Sequence, residues 1–204
     1  QRLSRGLGDV YKRQLFQGAN FVNSIKESNQ EELKPLIESG KKSFKGRELT
    51  GGTLGVVGMG AIGSKVADMG VMLGMNVIGY DPAITVEAAW KLPNKVERKE
   101  SIEDVFKESD YISLHVPAND KTKGLINSDL LKNAKNGLRL INFARDEIVV
   151  SKDIIESLDK NILSKYITDF ADLDLISRAK TANDVIILPH IGASTSQAEE
   201  NCSV

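Results

Sequence analysis

The sequence contains few of the residues on which covalent or metal frameworks are built. Cys202 is its only cysteine, and it has only two histidines. A single cysteine excludes a disulfide framework, and so few cysteine and histidine side chains argue against a zinc site. We therefore predict no bound metal and a reducing, cytoplasmic setting. No secretory signal is visible at the N-terminus.

Two further absences limit the partners of the chain. No run of about eighteen apolar residues is present, which argues against a membrane span. The 27 lysines and arginines nearly balance the 28 aspartates and glutamates, and the formal net charge is −1. No basic block indicates binding to nucleic acid. We therefore expect a small molecule as the partner of a globular chain.

The most informative motif is a glycine-rich turn between two predicted strands. Gly58, Gly60 and Gly63 form G-x-G-x-x-G after an apolar run, and Asp81 ends a second apolar run beyond a helical pattern. In a dinucleotide site the three glycines permit the turn, the approach of the pyrophosphate and the packing of the helix on the strand. The carboxylate of Asp81 would accept the ribose hydroxyls of NAD and repel the extra phosphate of NADP. A purely structural turn is the alternative, but the flanking strands and helix favour a dinucleotide site.

Apolar runs alternating with helical patterns predict an α/β fold with a doubly wound parallel sheet of the Rossmann type. Six strands are predicted, at residues 54–58, 77–80, 110–116, 138–144, 166–170 and 185–188. Helices are predicted after Gly63 and at residues 86–90, 101–109, 128–136 and 151–160, with Ser101 as a cap. Val96 and the glutamates that follow it are predicted to be exposed.

The chain divides into four segments. Residues 1–14 share no pattern with the rest and resemble a translated library adapter, so we exclude them from the fold. Residues 15–44 are predicted to be helical, with a break or a new first turn near Pro35. Residues 45–193 form the predicted dinucleotide-binding domain. Residues 194–204 begin a helix that is cut short, so we expect a fragment that lacks most of its substrate domain.

The side chains that could carry chemistry follow the predicted strands, where ligands of such sheets bind. His190 precedes a run of small residues that would let a cofactor ring approach, and Arg145 could grip a carboxylate with its planar fork. A carboxylate beside His190 would orient its ring for general acid–base catalysis. Spacing alone does not choose that carboxylate among Asp169, Asp172 and Asp174. His115 has apolar neighbours and is predicted to be structural or to line the cofactor.

Six segments, in this order, resemble the D-isomer-specific 2-hydroxyacid dehydrogenases: VVGMGAIG, GYDP, DYISLHVPANDKTKGLIN, INFAR, ITDF and LPHIGAST. The resemblance covers residues 15–204. It implies a catalytic arginine at Arg145, a histidine at His190 and an acid at Asp174, where the family usually has glutamate. Asp172 is the alternative acid. The family usually has glycine where this chain has Asp146, a residue type that tolerates a positive φ better than most.

The glycine turn, the strand ends and the resemblance together predict the contacts with NAD. These residues are Gly58, Gly60, Ala61, Ile62, Gly63, Asp81, His115, Val116, Pro117, Phe143, Ala144, Arg145, Asp169, His190, Gly192 and Ala193.

The resemblance implies hydride transfer between NAD and a 2-hydroxy acid. Within the family the chain is most similar to members that act on 3-phosphoglycerate in serine biosynthesis. The resemblance also implies a homodimer or higher homo-oligomer, in which residues 15–44 help to make the contact between subunits. Two alternatives remain: an NADH-sensing protein of the corepressor kind that catalyses no reaction, and a fragment that only binds NAD.

Overall fold

The computed structural model describes residues 18–25, 29–41 and 48–192. The predictions for residues 1–14, for Ala193 and for residues 194–204 lie outside the described residues. Within the described ranges no helix is both long and apolar enough to cross a membrane.

Seven parallel strands form one sheet in the order β3-β2-β1-β4-β5-β6-β7. The order reverses beside β1, so the gap between β1 and β4 is the switch point of a doubly wound sheet. This topology confirms the predicted fold class. The strands are β1 (Thr53–Val57), β2 (Asn76–Tyr80), β3 (Val96–Arg98), β4 (Tyr111–Leu114), β5 (Leu138–Asn142), β6 (Leu163–Thr168) and β7 (Val185–Ile187).

Helices connect the strands, and the apolar core lies on both faces of the sheet. Alternate residues of β1 belong to different clusters: Val56 packs with Ala67 of the first crossover helix, and Val57 packs with Phe106 of a later one. Such two-sided burial is typical of parallel sheets. The helices are α1 (Gly18–Ser24), α2 (Gln30–Gly40), α3 (Gly63–Met72), α4 (Val86–Trp90), α5 (Ile102–Glu108), α6 (Ser128–Leu131), α7 (Ser151–Asp159) and α8 (Leu173–Thr181).

Several predicted boundaries and elements need correction. Strand β3 was not predicted, because only Val96 is half-buried and the two residues after it are exposed. Helix α8 was also not predicted, because Leu175 is its only buried residue. Helix α6 ends at Leu131 rather than near residue 136. The two asparagines that follow disfavour helix, and the chain turns at Gly137 with a φ of 83°.

The predicted break at Pro35 is wrong, because α2 runs through this residue. A proline inside a helix removes one backbone donor and normally opposes helix formation. Here Asn29 fixes an earlier start, since its side chain accepts a hydrogen bond from the backbone N–H of Glu32 at 2.9 Å.

Candidate active site

The turn between β1 and α3 requires glycine at its first and last motif positions. Gly58 has a φ of 91°, and a Cβ there would lie 2.6 Å from the carbonyl oxygen of His115. A Cβ on Gly63 would lie 1.9 Å from the carbonyl oxygen of Gly58. Gly60 differs, because a Cβ there would meet no atom within 4 Å. Protein atoms therefore fill the space beside Gly58 and Gly63, whereas the space in front of Gly60 is open to a ligand.

The N-terminus of α3 faces the same open side of the turn. Ile62 precedes the helix without a side-chain capping bond, and no acidic residue lies in the first turn. Ala61 and Ile62 are both exposed. A helix start with this character presents backbone N–H groups and a positive partial charge, which suits an anionic group such as a phosphate.

Asp81 lies beside this turn, at the end of β2. Its Oδ2 accepts a hydrogen bond from the backbone N–H of Met59 at 2.8 Å, and its Oδ1 accepts one from Ala83 at 2.9 Å. The Met59 side chain lies against Gly79, where a Cβ would come within 2.9 Å of the sulfur. Both carboxylate oxygens keep further lone pairs for ligand hydroxyls. Asp81 is thus held in place before any ligand arrives.

His115 supports the turn from behind, at the end of β4. Its Nε2 lies 2.8 Å from the Ser113 hydroxyl, and its backbone N–H donates to the carbonyl of Val57 at 2.7 Å. Burial lowers the pKa of His115 below its ordinary value of 6.5, so the ring is neutral at pH 7. Val116 is half-buried and Pro117 is exposed.

Arg145 follows β5 at the end of a short loop. Its guanidinium Nη1 donates to the carbonyl of Ala144 at 2.6 Å, and its side chain is exposed, as is that of Phe143. Asp146 begins a 3₁₀ turn and does not have a positive φ. The aspartate is therefore accommodated where the family usually has glycine.

His190 contacts Asp169, which follows β6. The imidazole Nδ1 lies 2.9 Å from Oδ2 of Asp169, and the Phe170 ring lies 5.4 Å from the imidazole, centroid to centroid. His190 has a φ of 50°, which is uncommon for a residue other than glycine. A constrained backbone, a carboxylate and an aromatic ring therefore fix this imidazole, and 62% of its side chain stays exposed.

Of the three aspartates that spacing left open, the structure brings Asp169 to His190. Asp172 is used otherwise: it caps α8, accepting a hydrogen bond from the backbone N–H of Leu175 at 2.8 Å. Asp174 lies exposed in the first turn of the same helix. The formation of α8, which the sequence pattern did not predict, explains why these two acids lie at the start of a helix and not in the loop beside His190.

The candidate residues lie along the carboxyl edge of six neighbouring strands. Gly58, Asp81, His115, Phe143 and Asp169 directly follow β1, β2, β4, β5 and β6, and His190 comes shortly after β7. Gly192 is exposed beyond His190. In the described part of the chain, no three histidine, cysteine, aspartate or glutamate side chains are grouped to hold a metal ion.

The sequence profile described as "D-isomer specific 2-hydroxyacid dehydrogenase, NAD binding domain" matches residues 15–192. The chain belongs to this family. Among curated members it is 35% identical over 166 residues to D-3-phosphoglycerate dehydrogenase of Bacillus subtilis. It is also 34% identical over 169 residues to hydroxypyruvate reductase of Thermotoga maritima.

Among solved structures, one similar chain is the NAD-complexed D-isomer specific 2-hydroxyacid dehydrogenase of Lactobacillus delbrueckii. The TM-score is 0.69 at 28% identity, over 78% of this chain and 52% of that one. The two curated relatives are each matched over 80% of this chain, which spans 31% of the Bacillus enzyme and 53% of the Thermotoga enzyme.

NAD is the cofactor of this domain, and the residues present fit it. The open space in front of Gly60 and the uncapped start of α3 suit a pyrophosphate. Oδ1 of Asp169 is buried and has no hydrogen-bond partner among the described residues. A buried carboxylate oxygen of this kind needs a donor, which an amide-bearing cofactor ring can supply.

Proposed function

We propose that the protein carrying this chain transfers a hydride between NAD and a 2-hydroxy acid, with Arg145 and His190 as catalytic residues. The observation that carries the proposal is the contact between His190 and Asp169 at the same sheet edge as the glycine turn. Bound NAD supplies or accepts the hydride. The protein places the 2-hydroxy acid substrate and exchanges a proton with its oxygen.

Arg145 would bind the substrate carboxylate and polarise the neighbouring carbonyl. Its fork of N–H donors matches the two oxygens of a carboxylate. Within the described ranges its guanidinium makes one bond, to the Ala144 carbonyl, which leaves most of its donors for a ligand. The exposed position of Arg145 agrees with a role at the wall of a cleft rather than in the core.

His190 would move the proton. With Nδ1 turned to Asp169, Nε2 is the nitrogen that can exchange a proton with the substrate oxygen. During reduction of an oxo acid, the protonated imidazole gives this proton to the carbonyl oxygen, and during oxidation the neutral ring takes it back. Asp169 stabilises the imidazolium and fixes the tautomer, which is the usual part of a carboxylate in such a pair.

Asp174 stands at the position of the family's acid, whereas Asp169 makes the contact with His190. Two isosteric variants separate their roles. We expect Asp169→Asn to lower kcat by about a hundredfold or more, because the charged partner of the imidazolium is lost. If Asp174→Asn lowers kcat by as much, Asp174 is the acid when substrate is bound, and the contact seen here is not the catalytic one.

The remaining predicted residues would hold the cofactor. We assign the pyrophosphate to the turn of residues 58–63 and the ribose to Asp81. The nicotinamide half is assigned to the strand ends and to the turn after His190, through His115, Val116, Pro117, Phe143, Ala144, Asp169, Gly192 and Ala193. The open side of Gly60 and the bonds that orient Asp81 support this assignment.

The substrate we propose is 3-phosphoglycerate, in serine biosynthesis, since several similar curated proteins carry the name D-3-phosphoglycerate dehydrogenase. The hydroxypyruvate reductase of Thermotoga maritima is about as similar, so hydroxypyruvate is the competitor to assay. A cytoplasmic homodimer that uses residues 15–44 as its contact completes the proposal. Val22 and Leu36 on those helices are 54% and 37% exposed, which gives apolar surface for such a contact.

The first experiment is a titration of this chain with NADH and with NADPH, followed by nicotinamide fluorescence. We expect NADH to bind and NADPH to be rejected, because Asp81 would repel a 2′-phosphate. Turnover is then measured with the full-length protein and both candidate acids, with His190→Ala as the inactive control. NADH binding without turnover of either acid would favour the sensing protein over the dehydrogenase.

A further inference from the structure

Asn142, the last residue of β5, is a polar side chain in an apolar row. Leu138 and Leu140 precede it on the same face of the strand, and all three are 0% exposed. A carboxamide at such a position destabilises the fold unless its donors and acceptor are hydrogen-bonded. Its partners therefore indicate which part of the structure it serves.

Both strong hydrogen bonds of Asn142 go to the loop that ends in Arg145. Nδ2 donates to the carbonyl of Arg145 at 2.8 Å, and Oδ1 accepts from the backbone N–H of Ala144 at 3.1 Å. The Tyr166 hydroxyl lies 3.5 Å from the same Nδ2, at the outer limit of a hydrogen bond. One buried amide thus closes residues 143–145 into a single shape.

The neighbouring strand has a comparable arrangement, which serves as a reference. Thr168 pairs with Asn142 in the sheet register and is also 0% exposed. Its hydroxyl accepts a hydrogen bond from the backbone N–H of Phe170 at 3.1 Å. Thr168 therefore shapes the loop of Asp169, whereas Asn142 shapes the loop of Arg145.

We propose that Asn142 is a positioning residue that holds the backbone of Arg145 for the oxo-acid step of the reaction. This role rests on the proposed function. Because the two bonds of Asn142 hold the Phe143–Ala144 and Arg145–Asp146 peptide groups, they fix the loop on both sides of the Ala144–Arg145 peptide, and their loss lets the guanidinium move away from the substrate carboxylate. A displacement of about 1 Å can cost about a hundredfold in rate. NAD binding should change little, because this loop is assigned only part of the nicotinamide contact, whereas the turn at Gly58 and the Asp81 carboxylate, which are assigned the pyrophosphate and the ribose, lie on other strands.

The test is a double-mutant cycle in the full-length protein, read out by kcat/KM for the oxo acid and by the NADH dissociation constant. We expect Asn142→Ala to lower kcat/KM by about ten- to a hundredfold while NADH affinity stays within about twofold. In an Arg145→Ala background the same change should cost no more than about twofold, since Asn142 acts through Arg145. Asn142→Ser, which keeps a hydroxyl, should retain part of the activity.

Thr168→Val is the matched control, because it removes an equally buried hydrogen bond whose backbone partner lies in the Asp169 loop, and the Thr168 hydroxyl reaches Asn142 only through the long contact of the Tyr166 hydroxyl. Its effect should be the same with Arg145 present or absent. The positioning role is overturned if Asn142→Ala lowers kcat/KM as much in the Arg145→Ala background as in the wild type. It is also overturned if NADH affinity falls as much as kcat/KM. A wild type that turns over no oxo acid overturns the proposed function and this role with it. Full activity of Asn142→Ala in an active enzyme overturns the role alone.

A second readout, limited proteolysis with trypsin, follows the loop of residues 143–145 directly. Trypsin cuts after arginine, and Asn142 bonds the carbonyl of the Arg145–Asp146 peptide. We expect Asn142→Ala to be cut there at least several-fold faster than the wild type, because local opening governs cleavage. Thr168→Val should be cut at the wild-type rate at this bond. Equal rates for all three proteins would contradict a loop held by Asn142.

Discussion

At the scale of single residues, the glycines of the first turn divide into two kinds. Gly63→Ala would place a Cβ 1.9 Å from the Gly58 carbonyl oxygen, whereas Gly60→Ala meets nothing within 4 Å. We expect Gly63→Ala to lower the free energy of unfolding by about 1–3 kcal/mol, because the turn must shift. Gly60→Ala should leave stability within about 0.5 kcal/mol and still weaken NADH binding at least tenfold. Urea unfolding and NADH titration measure the two effects. Unchanged NADH affinity in Gly60→Ala would place the pyrophosphate elsewhere.

His115 should make stability depend on pH. Burial lowers its pKa from the ordinary 6.5, so the folded protein keeps the ring neutral while the unfolded chain takes up a proton near that value. The unfolded state then binds more protons as the pH falls below about 6.5, and stability decreases until the lower folded pKa is passed. We expect the drop in Tm between about pH 7.5 and 5.5 to be smaller in His115→Gln than in the wild type. Thermal unfolding across that range measures it, and parallel curves for the two proteins would exclude His115 as the cause.

Single residues were predictable where the strand ends expose them. Asp81, Arg145 and His190 stand at or just beyond the ends of apolar runs, so the topology rule predicted their position at the carboxyl edge of the sheet without coordinates. The contact between Asp169 and His190 was not predictable, because it depends on how two neighbouring strand ends approach in space. Asn142 was overlooked, although a polar residue in the alternating apolar row of β5 was a visible signal.

At the scale of elements, α8 owes its start to Asp172. The carboxylate accepts a hydrogen bond from the Leu175 N–H at 2.8 Å, and Leu175 is the only buried residue of the helix. We expect Asp172→Ala to lower the free energy of unfolding by about 1 kcal/mol, which is typical for loss of such a cap. Asp174→Ala is the control, because its exposed carboxylate has no hydrogen-bond partner among the described residues and should contribute less, through the helix dipole alone. Equal losses in urea unfolding would contradict the capping role.

Elements with a strong apolar pattern were predicted; of those with few or no buried side chains, α4 was predicted, and β3 and α8 were not. Helix α4 was predicted at its observed bounds, and Ser101 caps α5 as expected, accepting from the Asp104 N–H at 3.1 Å. Strand β3 and α8 bury too few side chains to leave a periodic signal, and β3 exists because its backbone pairs with β2. Strand propensity depends on such tertiary partners more than on the local sequence.

At the scale of the whole molecule, the order of the parallel strands brings residues that are distant in sequence to the carboxyl edge of one sheet. Gly58 and His190 are far apart in sequence, yet both follow strands of the same parallel sheet. Because all seven strands run in one direction, their carboxyl ends form a single row, and a cofactor at the β1–β4 switch point can reach along it. This arrangement explains why strand order alone could predict both the fold and the edge of the sheet at which the candidate residues lie.

The strands of this sheet should differ in how readily they unfold locally. Strands β4 and β5 are paired on both sides, and Ile112 and Leu140 within them are 0% exposed. Strand β3 forms one edge with Glu97 and Arg98 exposed. We expect amide hydrogen exchange to be slowest at Ile112 and Leu140, where only global unfolding frees the amide, and about a thousandfold or more faster in β3, which can fray alone. Mass spectrometry of exchanged peptides measures this gradient. Equal protection in β3 would mean that another surface, such as that of a second copy, covers this edge in solution.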